Sequence, residues 1–194
     1  PCKTLLDSYE CRHGMGYSIF TGKKNGVQAK QLAFIPLNDA CEINQLTLTN
    51  ETGTSKELKL FSYVEWCLWN ADDDMKNFQR NFSTGEVEVD GSVLYHKTEY
   101  RERRNHYALF SVNTPIDAFE TSRDAFLGAY RSNANPIAIE SGQLSNSIAS
   151  GWSPVAAHQI NLTLQPGGSR SFVFVTAYIE LPYEEKWEKP GIIN

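Results

Sequence analysis

The sequence predicts an all-β fold, built as a large antiparallel β-sandwich, and three observations support this prediction. Short segments rich in aromatic and β-branched residues recur along the chain, several with alternating apolar and polar positions. Turn dipeptides separate these segments, and helical periodicity is almost absent. Strands joined by short turns pair antiparallel, and two layers of them are needed to bury their apolar faces.

The chain opens with a segment, 1–14, that we predict to be a strand ending in a polar corner, CRHG. MGYSIFT (15–21) and VQAKQLAFIP (27–36) follow as two further strands. Between them lies Asn25–Gly26, a pair that favours the positive φ angles of a two-residue hairpin turn.

The next two strands are predicted at 41–49 and 57–69. CEINQLTLT alternates in the manner of a half-buried strand, and ELKLFSYVEWCLW returns as a long strand after a turn at 50–56. Because the turn is short, we predict that the two strands pair with each other as a hairpin.

A third hairpin is predicted from GEVEV (85–89) and SVLYHK (92–97), which flank Asp90–Gly91. YALFSVN (107–113) follows as another strand.

The rest of the chain mixes ambiguous and clear signals. DAFETSRDAFLGAY, within 115–130, is compatible with a short helix or with a loop and a strand. Residues 133–153 are rich in Ser, Asn, Gly and Pro and predict mainly loop. Two strands are predicted within 158–180, joined at 166–168, Pro-Gly-Gly.

Composition limits the classes of function. The 194 residues suffice for one sizeable domain, and mean hydropathy is −0.42. A net charge of −5 argues against nucleic-acid binding, and no apolar run approaches the ~20 residues that span a membrane. The four cysteines lack CxxC spacing, so we predict neither a zinc site nor a disulfide framework but reduced thiols in a cytoplasmic protein.

Chemistry-bearing residues concentrate in 61–107. This stretch begins with large aromatic residues, continues in a loop of carboxylates and amides, and ends in a charged run about twice as rich in charge as the chain. Amides and arginine bind hydroxyl-rich or anionic ligands directionally, whereas a solvated surface loop is the simpler interpretation.

Individual motifs leave two interpretations open. Asp72–Asp74 fits a cation or sugar site or a solvated run, and the arginines of 101–104 fit a phosphate site or a salt-linked surface. His13 and His158 are predicted to be structural hydrogen-bonding residues. No GxSxG, P-loop, HExxH or GxGxxG motif occurs.

The central block FSYVEWCLWNADDDMKNFQRNFSTGEVEV, with YHKTEYRERRNHYALFSVN after it, resembles the cellobiose phosphorylases of glycoside hydrolase family 94. CRHGMGYS, KNGVQAK, SGWSP and EEKW fit the same family, so the resemblance covers essentially the whole chain. It implies that residues 1–182 form a mutarotase-like super-sandwich without its first strands. Residues 183–194 would then begin a linker towards a catalytic (α/α)6 barrel outside this chain.

The resemblance also implies an activity for the full-length parent enzyme. An inverting phosphorylase converts cellobiose and inorganic phosphate to glucose 1-phosphate and glucose, with phosphate as co-substrate and no other cofactor. Its one catalytic acid lies in the barrel, so this chain alone is expected to be inactive and to hold no catalytic or metal-binding residue. A cytoplasmic homodimer is implied, without nucleic-acid or membrane partners.

The same resemblance assigns two candidate substrate-binding residues. In the family the NFQRN segment reaches towards the disaccharide, which implies that Gln79 and Arg80 donate hydrogen bonds to the acceptor-side glucose. Two alternatives stay open: a free-standing carbohydrate-binding sandwich, and a purely structural or dimerisation domain. Exposure of Trp66 and Trp69 separates them, because sugar platforms face solvent and core residues do not.

Overall fold

The computed structural model describes residues 3–66, 72, 76, 85–98, 106–149, 154–185, 187–189 and 192–193. It confirms the all-β prediction, because two antiparallel sheets contain most of these residues. The strands, in chain order, are β1 (Ser8–Gly14), β2 (Tyr17–Lys24), β3 (Val27–Phe34), β4 (Cys41–Asn50), β5 (Lys56–Phe61), β6 (Val64–Glu65), β7 (Gly85–Asp90), β8 (Val93–Thr98), β9 (His106–Val112), β10 (Ala118–Ser122), β11 (Pro154–Leu164), β12 (Ser169–Glu180), β13 (Trp187–Lys189) and β14 (Ile192–Ile193).

The two sheets differ in width. The large sheet has eight strands in the order β1-β2-β3-β4-β12-β9-β8-β7. The small sheet has the order β10-β11-β5, and β6 also pairs with β11. β13 and β14 pair with each other.

The hydrophobic core lies between the two sheets. Buried side chains of the large sheet, among them Leu48, Phe110 and Phe172, pack with Ile160 and Leu164 of the small sheet. Along β11 the first seven residues are all buried, since both faces of this central strand are covered. Because side chains alternate between the two faces of a strand, the register of each pair determines which residues of the neighbouring strands face the core.

The turn dipeptides are largely confirmed. Asn25 and Gly26 have φ values of 50° and 74°, the conformation that the β2–β3 hairpin requires. In the β7–β8 hairpin Asp90 lies opposite Val93, so the turn residues are Gly91 and Ser92, one position later than predicted.

The polar CRHG corner is not a corner. Residues 11–14 belong to β1 and pair with β2, and the chain turns at the following residues, Met15 and Gly16. Gly16 supplies the positive φ of 83°, and the polar side chains of β1 are compatible with a strand because β1 lies at the sheet edge.

The predicted hairpin between 41–49 and 57–69 is wrong. β4 pairs with β3 and β12 in the large sheet, whereas β5 pairs with β11 in the small sheet. Asn50, the last residue of β4 and fully buried, stabilises the passage between the sheets: its Nδ2 donates to the carbonyls of Thr54 (2.7 Å) and Leu164 (3.1 Å). One amide of the large sheet thereby satisfies backbone groups of the following turn and of β11 in the small sheet.

The long strand predicted at 57–69 is present up to Glu65, with a break at Ser62 and Tyr63. Phe61 lies opposite Gln159 and Val64 opposite Ala156, so β6 keeps the register of β5. Residues 67–69 lie outside the described part of the chain.

Two short helices lie in the ambiguous region. Residues 115–130 contain β10 followed by helix α1 (Arg123–Leu127), which Ser122 caps by accepting from the Ala125 N–H. Helix α2 (Ile137–Ser141) interrupts the segment predicted as loop, and β11 begins at Pro154 rather than at His158. No helix in the described residues is long and apolar enough to cross a membrane.

Candidate functional site

Among the described residues the small sheet is narrower than the large one, and none of its strands covers the inner face of β1 and β2. The core between the sheets is built mainly from β4, β12, β9 and β8 together with β11. The inner-facing side chains of β1 and β2 are half-buried or exposed; Tyr9, for example, is 61% exposed. An open cavity of about 560 Å³ lies here. We call it the wing groove; its inner-facing side chains are His13, Ser18, Phe20, Gln31, Glu42 and Asn44.

Three polar side chains form a row along the groove on β3 and β4. Gln31 Nε2 donates to Asn44 Oδ1 at 2.6 Å, and Asn44 Nδ2 donates to Glu42 Oε1 at 2.6 Å. Strand register explains the contacts: Ala33 lies opposite Asn44, so Gln31 and Asn44 project from the same face as diagonal neighbours. The row holds two amides and one carboxylate in fixed positions.

The outer part of the groove pairs a histidine with an aromatic ring. His13 Nδ1 is 2.8 Å from Ser18 Oγ, and Cys11 Sγ is 3.3 Å from His13 Nε2. The His13 ring stands edge-on to Phe20, with centroids 6.4 Å apart. The prediction that His13 is a hydrogen-bonding residue is confirmed.

A second cleft continues the groove between the two sheets. This cavity of about 260 Å³ shares Gln31, Glu42 and Asn44 with the wing groove. Its walls are otherwise mostly apolar or aromatic, and include Tyr63 and Phe174. The polar row therefore stands where the open groove meets the interlayer cleft.

A third cavity, of about 530 Å³, lies beside Trp66 and Tyr178. The Tyr178 hydroxyl donates to Glu180 Oε1 at 2.6 Å and also hydrogen-bonds His106 Nδ1. Trp66 is half-buried and packs against the core between the sheets. The Trp66 ring is therefore part of the core packing and not an exposed platform for a sugar.

His158 is fully buried within the core rather than at a cavity wall. Its Nε2 donates to the Ser92 carbonyl at 2.9 Å, its Nδ1 contacts Ser62 Oγ at 2.9 Å, and its ring stacks on Phe110 at 4.8 Å. Burial lowers the pKa of His158 to about 4, against a weaker opposing effect of the Ser92 carbonyl. His158 is thus a neutral structural residue, as predicted.

The predicted substrate-binding residues Gln79 and Arg80 lie outside the described residues, as do Trp69 and residues 101–104. Of the Asp72–Asp74 run only Asp72 is described; it is exposed, 3.8 Å from Lys76 Nζ. The described residues contain no cluster of His, Cys, Asp or Glu that could hold a metal ion.

Sequence reasoning missed the polar row. The signal was present in β4, where the inner-facing positions change from Leu48 and Leu46 to Asn44 and Glu42. Such a change along one face marks the point where the core ends.

Comparison with known proteins decides the family. Residues 1–189 match the family described as the supersandwich domain of glycosyl hydrolase 94. The chain belongs to this family. It is 33% identical over 181 residues to an N,N'-diacetylchitobiose phosphorylase of Vibrio proteolyticus and 30% identical over 167 residues to a solabiose phosphorylase of Paenibacillus borealis. The matches cover 90% and 86% of this chain but 22% of each relative, so the chain spans about a fifth of their length.

Solved structures agree on the fold. A GalM/aldose epimerase homologue from C. elegans superposes with a TM-score of 0.53 at 10% identity, over 90% of this chain and 69% of that protein. A putative kojibiose phosphorylase from the human microbiome gives 0.50 at 11% identity, over 84% and 17%. These likenesses establish a mutarotase-like super-sandwich, the fold predicted from the sequence.

Proposed function

We propose that this chain is the N-terminal domain of an inverting disaccharide phosphorylase that converts cellobiose and phosphate to glucose 1-phosphate and glucose. Membership of the glycosyl hydrolase 94 supersandwich family over residues 1–189 is the observation that carries the proposal. Two of the relatives are named as phosphorylases of disaccharides, which supports the reaction class. Phosphate is the co-substrate, and the reaction needs no further cofactor.

The chemistry divides the work between domains. Phosphate attacks the anomeric carbon, the glycosidic C–O bond breaks, and one carboxylic acid protonates the leaving oxygen. We place that acid in a barrel outside this chain, reached through a linker that begins at residues 183–194. On this account residues 1–182 shape the sugar site from the side, and the 194-residue chain is inactive alone.

Gln79 and Arg80 are the proposed contribution of this domain to the acceptor side. The amide and guanidinium would donate to hydroxyls of the leaving glucose, and the fixed charge of Arg80 would favour the incoming phosphate. In the full-length parent, Arg80→Ala should lower kcat/KM for cellobiose phosphorolysis about 10- to 100-fold, the range for a lost charged hydrogen bond. Gln79→Ala should have a smaller effect in the same direction.

Arg12→Ala and Gln45→Ala are the matched controls for this experiment. Both residues lie on exposed positions of the large sheet, and Arg12 forms an exposed ion pair with Glu10. Kinetics equal to the parent in Arg80→Ala, with circular dichroism unchanged, would remove this domain from the acceptor site and leave a structural domain.

The disaccharide is the finer part of the proposal. We expect the parent to prefer cellobiose over N,N'-diacetylchitobiose and solabiose, the substrates in the names of two relatives. Initial rates of phosphorolysis with the three sugars measure this directly. A higher kcat/KM for either of the other two would reject cellobiose while keeping the phosphorylase class.

A structural role is the second candidate, and Trp66 favours it over a free-standing carbohydrate module, because the ring packs on the core. We propose that the parent is a cytoplasmic homodimer to which this domain contributes contacts. Light scattering on the parent gives the mass; a monomer at micromolar concentration would contradict the dimer.

A further inference from the structure

We infer that the wing groove binds a neutral saccharide of one or two sugar units, held by the polar row and by Phe20. The inference rests on the proposed function for its ligand class, carbohydrate.

In the wing groove the inner face of the large sheet carries polar side chains, whereas the inner face of a sandwich core is normally apolar. Leu46 packs against the core, whereas Gln31, Asn44 and Glu42 follow on the same face, with Ser18 and His13 further out. Covering these groups with an apolar layer would leave buried polar atoms without hydrogen-bond partners, which is unfavourable. A hydrogen-bonding occupant avoids this cost.

The polar row is preorganised for such an occupant. Each of its two internal hydrogen bonds is 2.6 Å long: the Gln31–Asn44 bond joins the adjacent strands β3 and β4, and the Asn44–Glu42 bond joins two positions of β4 on the same face. Each amide engages one of its two N–H groups within the row, so one N–H of Gln31, one N–H of Asn44 and the second oxygen of Glu42 remain for the groove. Alternating donors and acceptors match vicinal sugar hydroxyls, which both donate and accept.

An apolar surface flanks the row. Phe20 is half-buried, lines the groove and pairs across the strands with Gln31. The axial C–H face of a pyranose ring is apolar, so aromatic rings beside amides suit a sugar better than they suit an ion.

Charge and size narrow the ligand further. Glu42 is the one carboxylate among the described lining residues of the groove and the interlayer cleft, and none of these residues is Lys or Arg. A phosphate or uronate would meet that carboxylate without a cation to balance it. Cavities of about 560 and 260 Å³ that share three residues are within the size range of small-ligand sites.

The test uses the 194-residue chain, titrated with cellobiose, glucose and glucose 1-phosphate and observed by ¹H–¹⁵N NMR. We expect saturable shifts for Gln31 and Asn44 with cellobiose in the millimolar range, and much weaker shifts with glucose 1-phosphate. Asn44→Ala should weaken cellobiose binding about tenfold, the effect of one or two lost hydrogen bonds. Phe20→Leu should weaken it by a similar factor.

Gln45→Ala is the matched control, because Gln45 is the next residue of β4, exposed on the opposite face and paired with Leu32 and Val173. Its binding should equal that of the original chain. If the spectrum of Asn44→Ala shows loss of fold, Gln31→Ala, which removes the other end of the row, replaces it.

Three results would overturn the inference: no shifts with any sugar, shifts outside the groove, or equal binding by Asn44→Ala and Gln45→Ala. Phosphorolysis by the parent is measured separately. If the parent is active but no sugar shifts the resonances of the groove, the saccharide site is rejected and the proposed function stands. If the chain binds cellobiose but the parent is inactive, the proposed function is rejected and the site stands.

Discussion

At the scale of single residues, buried polar side chains decide how the two sheets meet. Asn50 on β4 donates to backbone carbonyls of the following turn and of β11, and Thr52 donates to its Oδ1 from the backbone at 3.0 Å and from the hydroxyl. His158 joins Ser62, in the break between β5 and β6, to the β7–β8 turn through the Ser92 carbonyl. Each is fully buried, so each hydrogen bond lost there would leave an unsatisfied partner.

His158 makes stability depend on pH. Its pKa is about 4 in the folded chain and about 6.5 when unfolded, so the folded state favours the neutral ring. This contribution to stability is fully present above pH ~6.5 and is lost as the pH falls towards ~4, because the unfolded chain then binds the proton. The loss amounts to about 3 kcal/mol.

Urea unfolding of the chain at pH 7 and pH 4.5 measures this dependence. His158→Gln should lower stability at pH 7 and flatten the dependence between those values. An equal decrease in the original chain and in His158→Gln would assign the pH dependence to other groups.

At the scale of elements, Glu120 fastens the segment after α2 to β10. Its carboxylate is 1% exposed and accepts from the backbone N–H groups of Thr121 (3.0 Å), Ser122 (3.0 Å) and Ser145 (3.3 Å). The hydroxyls of Ser145 and Ser147 also donate to it. These five hydrogen bonds satisfy the buried side-chain oxygens of Glu120 and hold the two segments together.

Glu120→Gln should therefore destabilise the chain by about 2–4 kcal/mol, because the new amide N–H₂ faces donors. Limited proteolysis should cut earlier within 143–149. Glu140→Gln is the control: Glu140 is an exposed partner of Arg131, and its loss should cost less than about 0.5 kcal/mol. Equal proteolysis of both variants would contradict the role of Glu120.

Turns that a local dipeptide specifies were predictable from the sequence. The assignment of consecutive strands to the same sheet or to different sheets was not. Asn25–Gly26 specifies its hairpin because few other dipeptides adopt two positive φ values. The crossing after β4 has no such signature, since a turn at 50–56 fits a hairpin as well as a passage between sheets. The passage is stabilised by the buried hydrogen bond from Asn50 to Leu164, which joins residues more than a hundred positions apart and has no signature in the local sequence.

At the scale of the whole molecule, the unequal width of the sheets creates the candidate site. The alternation of β2, β3 and β4 predicted strands but not which inner-facing positions the narrower sheet would leave open. Which positions stay open depends on strand pairings such as Val175 with Ile43, which join parts of the chain that are distant in sequence. The family resemblance, carried by a long specific block, predicted the super-sandwich directly.

Product analysis by ¹H and ³¹P NMR on the full-length parent with cellobiose tests whether the chain is a domain of a phosphorylase. We expect equal amounts of glucose and α-glucose 1-phosphate, formed only with phosphate present, since inversion at a β-glycoside gives the α anomer. Glucose alone, released without phosphate, would indicate a hydrolase and reject the inverting phosphorylase reaction. So would the β anomer, or no product from any of the three disaccharides.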